Sequence, residues 1–217
     1  MTATLLQNMA AGIAPPFRPF TVTEYQAMLD AGIFKDGDPI ELIDGLIVLK
    51  DRRDPRMPEA QMMTHGPAHA AAVRRLLRLL SKIQSDLWHI STQLPLQLGE
   101  TQFPEPDLAI LRGQPDEYDA RHPGPVDVLA IFEVSGSSLR YDRTTKLNVY
   151  AAVGIPFYGL LNLDDRQIEL HTLPHTPSGQ YHSRTIALDG ESFRLDLPGV
   201  EPLEIAVNDV LPSAAPR

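Results

Sequence analysis

Short apolar runs separated by polar turns make up the first half of the chain, and this pattern predicts helices and strands in close succession. A helix is predicted over 23–31, because threonines can cap its start and Gly32 can end it. Asp44-Gly45 separates two apolar runs and predicts a β-hairpin. A longer helix is predicted over 67–83, where proline is favourable at the first position and apolar residues recur at helical spacing.

The second half of the chain is dominated by β-type runs. The run over 126–134 is nearly all apolar, which is typical of a strand buried on both faces. A helix is predicted over 142–153, where Gly154 can form a left-handed cap. Helices that flank buried strands, followed by a β-rich tail, predict a layered α/β or α+β domain. The predicted strands are 87–98, 108–111, 126–134, 157–163, 167–173 and 181–188.

Length and composition narrow the class of protein. A chain of 217 residues predicts a single domain, placed over 18–211 with a flexible N-terminal lead-in (1–17) and a C-terminal tail (212–217). The chain has no cysteine, which excludes disulfides and thiolate chemistry and fits a cytoplasmic location. Its apolar runs are too short to predict a membrane-spanning helix. A net charge of −9 argues against a non-specific polycation but leaves room for a local basic groove.

Several common catalytic signatures are absent from the sequence. It has no G-x-x-x-x-G-K-[ST] phosphate loop, no G-x-G-x-x-G turn, no H-E-x-x-H and no G-x-S-x-G. His65 and His69 are four positions apart, as in a helical metal site, but Gly66-Pro67 lies between them. A helix would begin at Pro67, so a histidine-based metal site is disfavoured.

Two carboxylates in apolar surroundings are more informative. Asp107 follows Pro106 at the head of an apolar strand, and Glu133 lies near the end of the most apolar strand. A carboxylate there is costly to bury unless another group pairs with it. Two such groups on neighbouring strands would form the oxygen-rich site that Mg²⁺ accepts. The alternative is a strand-end acid that faces water; for Asp107 alone both interpretations stay open.

Lys146 and Glu41 extend this candidate site. Lys146 shares the apolar face of its predicted helix with Tyr150, so its ammonium group could lie beside the carboxylates, stabilise charge on a phosphoryl group and orient water. Alternatively it forms a surface ion pair with Asp142, worth about 0.3–0.5 kcal/mol. Glu41 lies in another apolar run and could add a metal ligand, although an isolated acid of this kind is more often a surface residue.

An ordered set of short motifs resembles one known family. The chain is similar to the Uma-two restriction endonuclease family, part of the PD-(D/E)XK nuclease superfamily, over about 20–173. The motifs are Glu41-Leu-Ile-Asp-Gly, Gly66-x-x-His69, Glu105-Pro-Asp107-Leu-Ala, Glu133-Val and Asp142-x-x-x-Lys146-x-x-x-Tyr150-Ala-x-x-Gly154-Ile.

The resemblance implies a mixed central sheet flanked by helices, with the active site at one edge of the sheet. It matches Asp107 to the Asp of the Pro-Asp motif and Glu133 to the (D/E) position. Lys146 stands where relatives carry a lysine on the following helix. Glu41 matches the acid on the early strand, and His69 matches the histidine at a helix start.

Four positions depart from the pattern of the superfamily or of the family. Ser135 stands where the superfamily has lysine, and the turn after Glu133 lacks a proline that is often present. Gly159 and Asn162 replace the usual Trp and Asp of a later strand. The changes at positions 159 and 162 weaken what the resemblance implies about that strand, but the acidic residues still match the family.

The resemblance implies a metal-dependent endonuclease that hydrolyses phosphodiester bonds in DNA. Asp107 and Glu133 would bind Mg²⁺ or Mn²⁺ with help from Glu41, and Lys146 would stabilise charge. A homodimer would suit cleavage of two strands. Five arginines could form a positive rim around the acids: Arg52, Arg53, Arg56, Arg140 and Arg143.

A second hypothesis is a catalytically inactive protein that keeps the nuclease-like fold for binding or assembly. The acidic net charge, the displaced lysine and the absence of a recognisable sequence-reading module favour it. Metal binding through Asp107 and Glu133 distinguishes the two hypotheses.

Overall fold

The computed structural model describes residues 12, 17–35, 37–50, 66–83 and 85–213. Most of the predicted lead-in and tail lies outside these residues, so the predicted division of the chain stays a prediction. Arg52, Arg53, Arg56 and His65 also lie outside them.

A six-stranded mixed sheet forms the centre of the molecule, in the order β3-β4-β5-β6-β7-β8. A β1–β2 hairpin and a β9–β10 pair form two smaller sheets. The strands are β1 Ile40–Ile43, β2 Leu46–Leu49, β3 Trp88–Ser91, β4 Leu108–Arg112, β5 Val128–Ser135, β6 Phe157–Asn162, β7 Gln167–His175, β8 Gln180–Leu188, β9 Ser192–Leu195 and β10 Leu203–Ala206.

Helices pack on both faces of this sheet. The α-helices are α1 Val22–Asp30, α2 Pro67–Leu80, α3 Leu139–Tyr141, α4 Leu147–Ala152 and α5 Val207–Val210. A π-helical segment, Asp142–Lys146, joins α3 to α4 without a break. Short 3₁₀ helices cover Pro115–Tyr118, Pro125–Asp127 and Thr176–Ser178.

Among the described strands of the central sheet, only β5 and β6 pair in parallel, and all other neighbouring strands are antiparallel. Parallel neighbours need a long crossover connection, and α3, the π segment and α4 supply it. The arrangement confirms the expected mixed sheet flanked by helices. Among the described residues, no helix is both long enough and apolar enough to span a membrane.

Strand β5 is buried along its whole length, because each face of the sheet has its own apolar layer. Phe132 points to the face covered by α2 and β9. Ile131 points to the opposite face, where Tyr150 of α4 and Tyr158 of β6 pack. The nearly continuous apolar sequence of β5 follows from this two-sided burial.

Local signals place most of the predicted elements correctly. A capping box between Thr21 and Glu24 begins α1, and the hairpin turn has positive φ at both Asp44 and Gly45, as a type I′ turn requires. The predicted strand 87–98 was too long.

Backbone geometry ends this strand early. β3 stops at Ser91, because the chain turns at Gln93, where φ is 53°. Beyond it, Leu96 and Leu98 donate backbone hydrogen bonds to Pro104 and Gln102 instead of to the sheet. Strands β9 and β10 were not predicted.

The glycine at position 159 has a packing reason. Gly159 pairs with Phe132 across β5 and β6, and a Cβ added to Gly159 would lie 2.6 Å from Cδ1 of the Phe132 ring. The aromatic ring therefore occupies the space that a side chain at position 159 would need.

We expect Gly159→Ala to lower the free energy of unfolding by about 1–3 kcal/mol, because the extra carbon overpacks the core. Chemical denaturation measures this change. Gly136→Ala is the matched control, because a Cβ there meets no atom within 4 Å. Equal stability of the two variants would contradict the packing argument.

Candidate active site

All five predicted site residues lie in one region at one end of the central sheet. Asp107 immediately precedes β4, and Glu133 lies on β5. Glu41 is on β1, His69 is in the first turn of α2, and Lys146 ends the π segment. Side-chain contacts and one backbone hydrogen bond link all five.

Asp107 and Glu133 are direct neighbours on adjacent strands. The register pairs Leu108 with Phe132, which places Asp107 opposite Glu133. The Asp107 backbone N–H donates to Glu133 Oε2 at 3.3 Å, and the Val134 N–H donates to Asp107 Oδ2 at 2.8 Å. Both acids are buried, with 9% and 3% exposure, so neither is a strand-end acid that faces water.

Lys146 lies between two carboxylates. Its Nζ is 2.9 Å from Glu133 Oε1 and 3.5 Å from Glu41 Oε2. The alternative of a surface ion pair with Asp142 was wrong, because both residues are buried. Asp142 instead accepts a 2.6 Å hydrogen bond from Ser135 Oγ.

Glu41 and His69 reach the site from other parts of the fold. The Glu41 carboxylate accepts hydrogen bonds from the Glu105 backbone N–H at 3.3 Å and from the Tyr141 hydroxyl at 3.4 Å. His69 Nε2 lies 3.0 Å from Asp107 Oδ2. The β1–β2 hairpin therefore brings Glu41 to Lys146, and the start of α2 brings His69 to Asp107.

The π-helical segment explains how one short stretch makes several of these contacts. Asp142, Arg143 and Lys146 all lie in it, and each contacts a different residue of the sheet: Ser135, Glu169 and Glu133. π-Helical turns are rare and are frequent at functional sites.

The pKa values of the two central carboxyl groups are shifted in opposite directions. Burial raises the pKa of Glu133 to about 8, and the charge of Asp107 adds to the rise although Lys146 opposes it. Burial also acts to raise the pKa of Asp107, but the hydrogen bond and charge of His69 outweigh it and hold that pKa below its usual value. Asp107 is therefore the more readily ionised of the two carboxyl groups.

The charge of Lys146 is supported by its neighbours. Burial alone would lower the pKa of Lys146, but the negative charges of Glu133 and Glu41 raise it well above the ordinary value. The lysine therefore stays a cation, and it is shared by several acids. This excess of carboxylates over cations marks the cluster as a place that favours additional positive charge.

Tyr150 is a member of the site that sequence reasoning did not include. Its hydroxyl donates to Glu133 Oε1 at 2.8 Å. Burial, followed by the charge of Glu133, raises the pKa of Tyr150 well above its usual value, so it remains a neutral donor. Its position four residues after Lys146, on the same helical face, was the available signal.

The acids have the oxygen ligands that Mg²⁺ and Mn²⁺ accept. Within the described part of the chain, no three or more His, Asp or Glu side chains are grouped as a metal-binding set. The oxygens of Glu133 contact Lys146, Tyr150 and a backbone N–H, and Asp107 contacts His69. The donor chemistry fits a divalent cation, which would compete with these contacts.

A second charged cluster lies on the same face of the sheet. Glu169 of β7 is fully buried and forms ion pairs with Arg143 and with Arg184 of β8. His171 Nε2 lies 3.7 Å from its Oε2. Burial acts to raise the pKa of Glu169, but His171 and the two arginines outweigh it and lower the pKa to about 2.

We expect Glu169→Gln to reduce the free energy of unfolding by about 2 kcal/mol at pH 7, since the lowered pKa of a buried carboxylate is stabilising and its arginine partners are partly screened. The contribution is fully present above the ordinary Glu pKa of 4.5 and is lost as the pH falls towards about 2. Denaturation of both proteins across this range measures it. Glu204→Gln, on the exposed side of β10, is the control; a difference independent of pH would contradict this account.

Comparisons with known proteins agree with this architecture. A family model described as "Uma2: Putative restriction endonuclease" matches residues 58–208. The fold is similar to that of a crystal structure titled as a putative nuclease belonging to DUF820 from Anabaena variabilis ATCC 29413, with a TM-score of 0.61 and 14% identity over 88% of this chain and 97% of the other. None of the curated proteins matches the sequence. Because the family model spans most of the sheet and its flanking helices, the chain belongs to the Uma2 family of nuclease-like proteins.

Proposed function

We propose that this protein is a metal-dependent endonuclease that hydrolyses phosphodiester bonds in DNA. The observation that carries the proposal is the buried pair Asp107 and Glu133 on adjacent strands, with the Lys146 ammonium group 2.9 Å from Glu133. Two acids and one cation in this arrangement are suited to phosphoryl chemistry. The family match supports the reaction class.

In this proposal Asp107 and Glu133 hold Mg²⁺ or Mn²⁺, with Glu41 as a further ligand. A bound ion would supply Lewis-acid chemistry, lowering the pKa of a water molecule and polarising the phosphate. Asp107 suits a ligand role because its lowered pKa keeps it ionised. Glu133 is held in place by Tyr150 and Lys146.

Lys146 supplies fixed positive charge next to the acids. It stabilises the negative charge that develops on the phosphoryl oxygens and orients the attacking water. Its fixed position between Glu133 and Glu41 limits the reorganisation needed during reaction. His69 orients the Asp107 carboxylate through their 3.0 Å contact.

A cleavage assay tests this function. We expect the wild-type protein to cut supercoiled or single-stranded DNA with Mg²⁺ or Mn²⁺, and Asp107→Ala or chelation to abolish cutting. Glu204→Gln removes an exposed acid on β10 and should leave activity unchanged. Cleavage by folded Asp107→Ala at the wild-type rate would refute the proposed site.

Calorimetric titration with Mn²⁺ tests the ligand set without requiring a substrate. We expect wild type and Glu204→Gln to bind the ion, and Asp107→Asn to bind at least tenfold more weakly, because a ligand charge is lost. The unfolding curve of Asp107→Asn shows whether its fold is retained. Absence of both metal binding and cleavage in the wild-type protein would favour the alternative, a nuclease-like binding or assembly protein.

Two further predictions accompany this function. The cytoplasmic location rests on the absence of cysteine and stays a prediction. A homodimer, which would present two sites to two strands, also stays a prediction.

A further inference from the structure

The Arg143–Glu169–Arg184 cluster has chemistry that the proposed reaction does not use. Glu169 Oε1 accepts hydrogen bonds from Nε and Nη2 of Arg143, and Oε2 accepts one from Arg184 Nη2 at 2.9 Å. One carboxylate therefore holds two guanidinium groups. Two arginines against one carboxylate give the cluster more positive than negative charge, in a protein whose net charge is −9.

Both arginines remain open to solvent although their partner is buried. The side chains of Arg143 and Arg184 are 36% and 48% exposed, whereas that of Glu169 is 0% exposed. Each guanidinium carries five N–H donors in a rigid planar arrangement, and the contacts to Glu169 use only some of them. Glu169 thus fixes two planar donor groups whose side chains remain partly exposed.

The cluster lies close to the candidate active site. The strand register pairs Glu133 with Leu160 and Leu160 with Glu169, so the two glutamates lie in one row, two strands apart. At roughly 4.8 Å per strand this separation is about 10 Å. The π segment also contacts both, through Lys146 and Arg143.

We propose that Arg143 and Arg184 together contact a backbone phosphate of the nucleic acid, on the side of the candidate active site towards β8. This inference rests on the proposed function and adds a site for substrate binding. At about 10 Å from Glu133, the cluster lies within a few nucleotides of the proposed cut. A planar guanidinium group suits bidentate binding of phosphate.

Binding measured without divalent ions tests this contact separately from cleavage. The probes are labelled duplex DNA, single-stranded DNA and RNA, titrated with the full-length protein in chelator at several salt concentrations. For Arg184→Gln we expect weaker binding, and a slope of log K against log salt that is smaller by about 0.9 for duplex or about 0.7 for single strands. Arg184→Lys should retain the slope because it retains the charge.

Arg194→Gln is the matched control. Arg194 is also exposed, pairs with Asp196 at 2.9 Å, and lies on β9, which packs on the opposite face of the sheet. The Arg194→Gln variant should bind with the wild-type slope of log K against log salt. The same slope in Arg184→Gln, or no binding of any probe by folded wild-type protein at low salt, would overturn the proposed contact.

The two proposals fail in distinguishable ways. Cleavage that depends on Asp107, with a salt slope that does not depend on Arg184, would support the nuclease function and overturn the phosphate contact. Binding that depends on Arg184, without any cleavage, would support the phosphate contact and contradict the nuclease function. Stronger Arg184-dependent binding to RNA than to DNA would support the contact and overturn DNA as the substrate.

Discussion

The burial of Glu133 beside Asp107 is the constraint on which the rest of this site depends. A carboxylate buried without a partner costs several kcal/mol, so the fold must supply compensating groups. Lys146 and Tyr150 reach Glu133 Oε1 from the crossover helix, and the Asp107 backbone N–H reaches Oε2. Compensation is incomplete, because Glu41 also contacts the lysine; this shared cation leaves the cluster rich in negative charge.

The crossover connection between β5 and β6 carries several of the charged side chains of the site. A parallel β5–β6 pair requires a connection across one face of the sheet, and here that connection includes the π segment. Three of its side chains each contact a different part of the sheet. The crossover connection between β5 and β6 thus also carries the charged side chains that contact the sheet. A shift in its register would displace all three contacts together.

Sequence reasoning identified Glu133 because a charged residue in an apolar strand needs a partner, whereas Glu169 could not be found in this way. The alternation of Gln167, Glu169 and His171 with apolar residues is typical of a strand with one face in water. In the fold that face is covered by the crossover connection, and only this long-range docking makes Glu169 a buried residue. The early end of β3 has a similar cause, since the positive φ of Gln93 and the hydrogen bonds beyond it depend on distant segments.

The contacts of the site join residues that are far apart in the chain. His69 and Asp107 are 38 positions apart, and Tyr141 and Glu41 are 100 apart. Loop closure over such separations makes folding slow, and no short fragment contains the whole cluster. A nascent chain emerging from the ribosome would therefore lack this cluster until the crossover segment after β5 has been synthesised and has docked on the sheet.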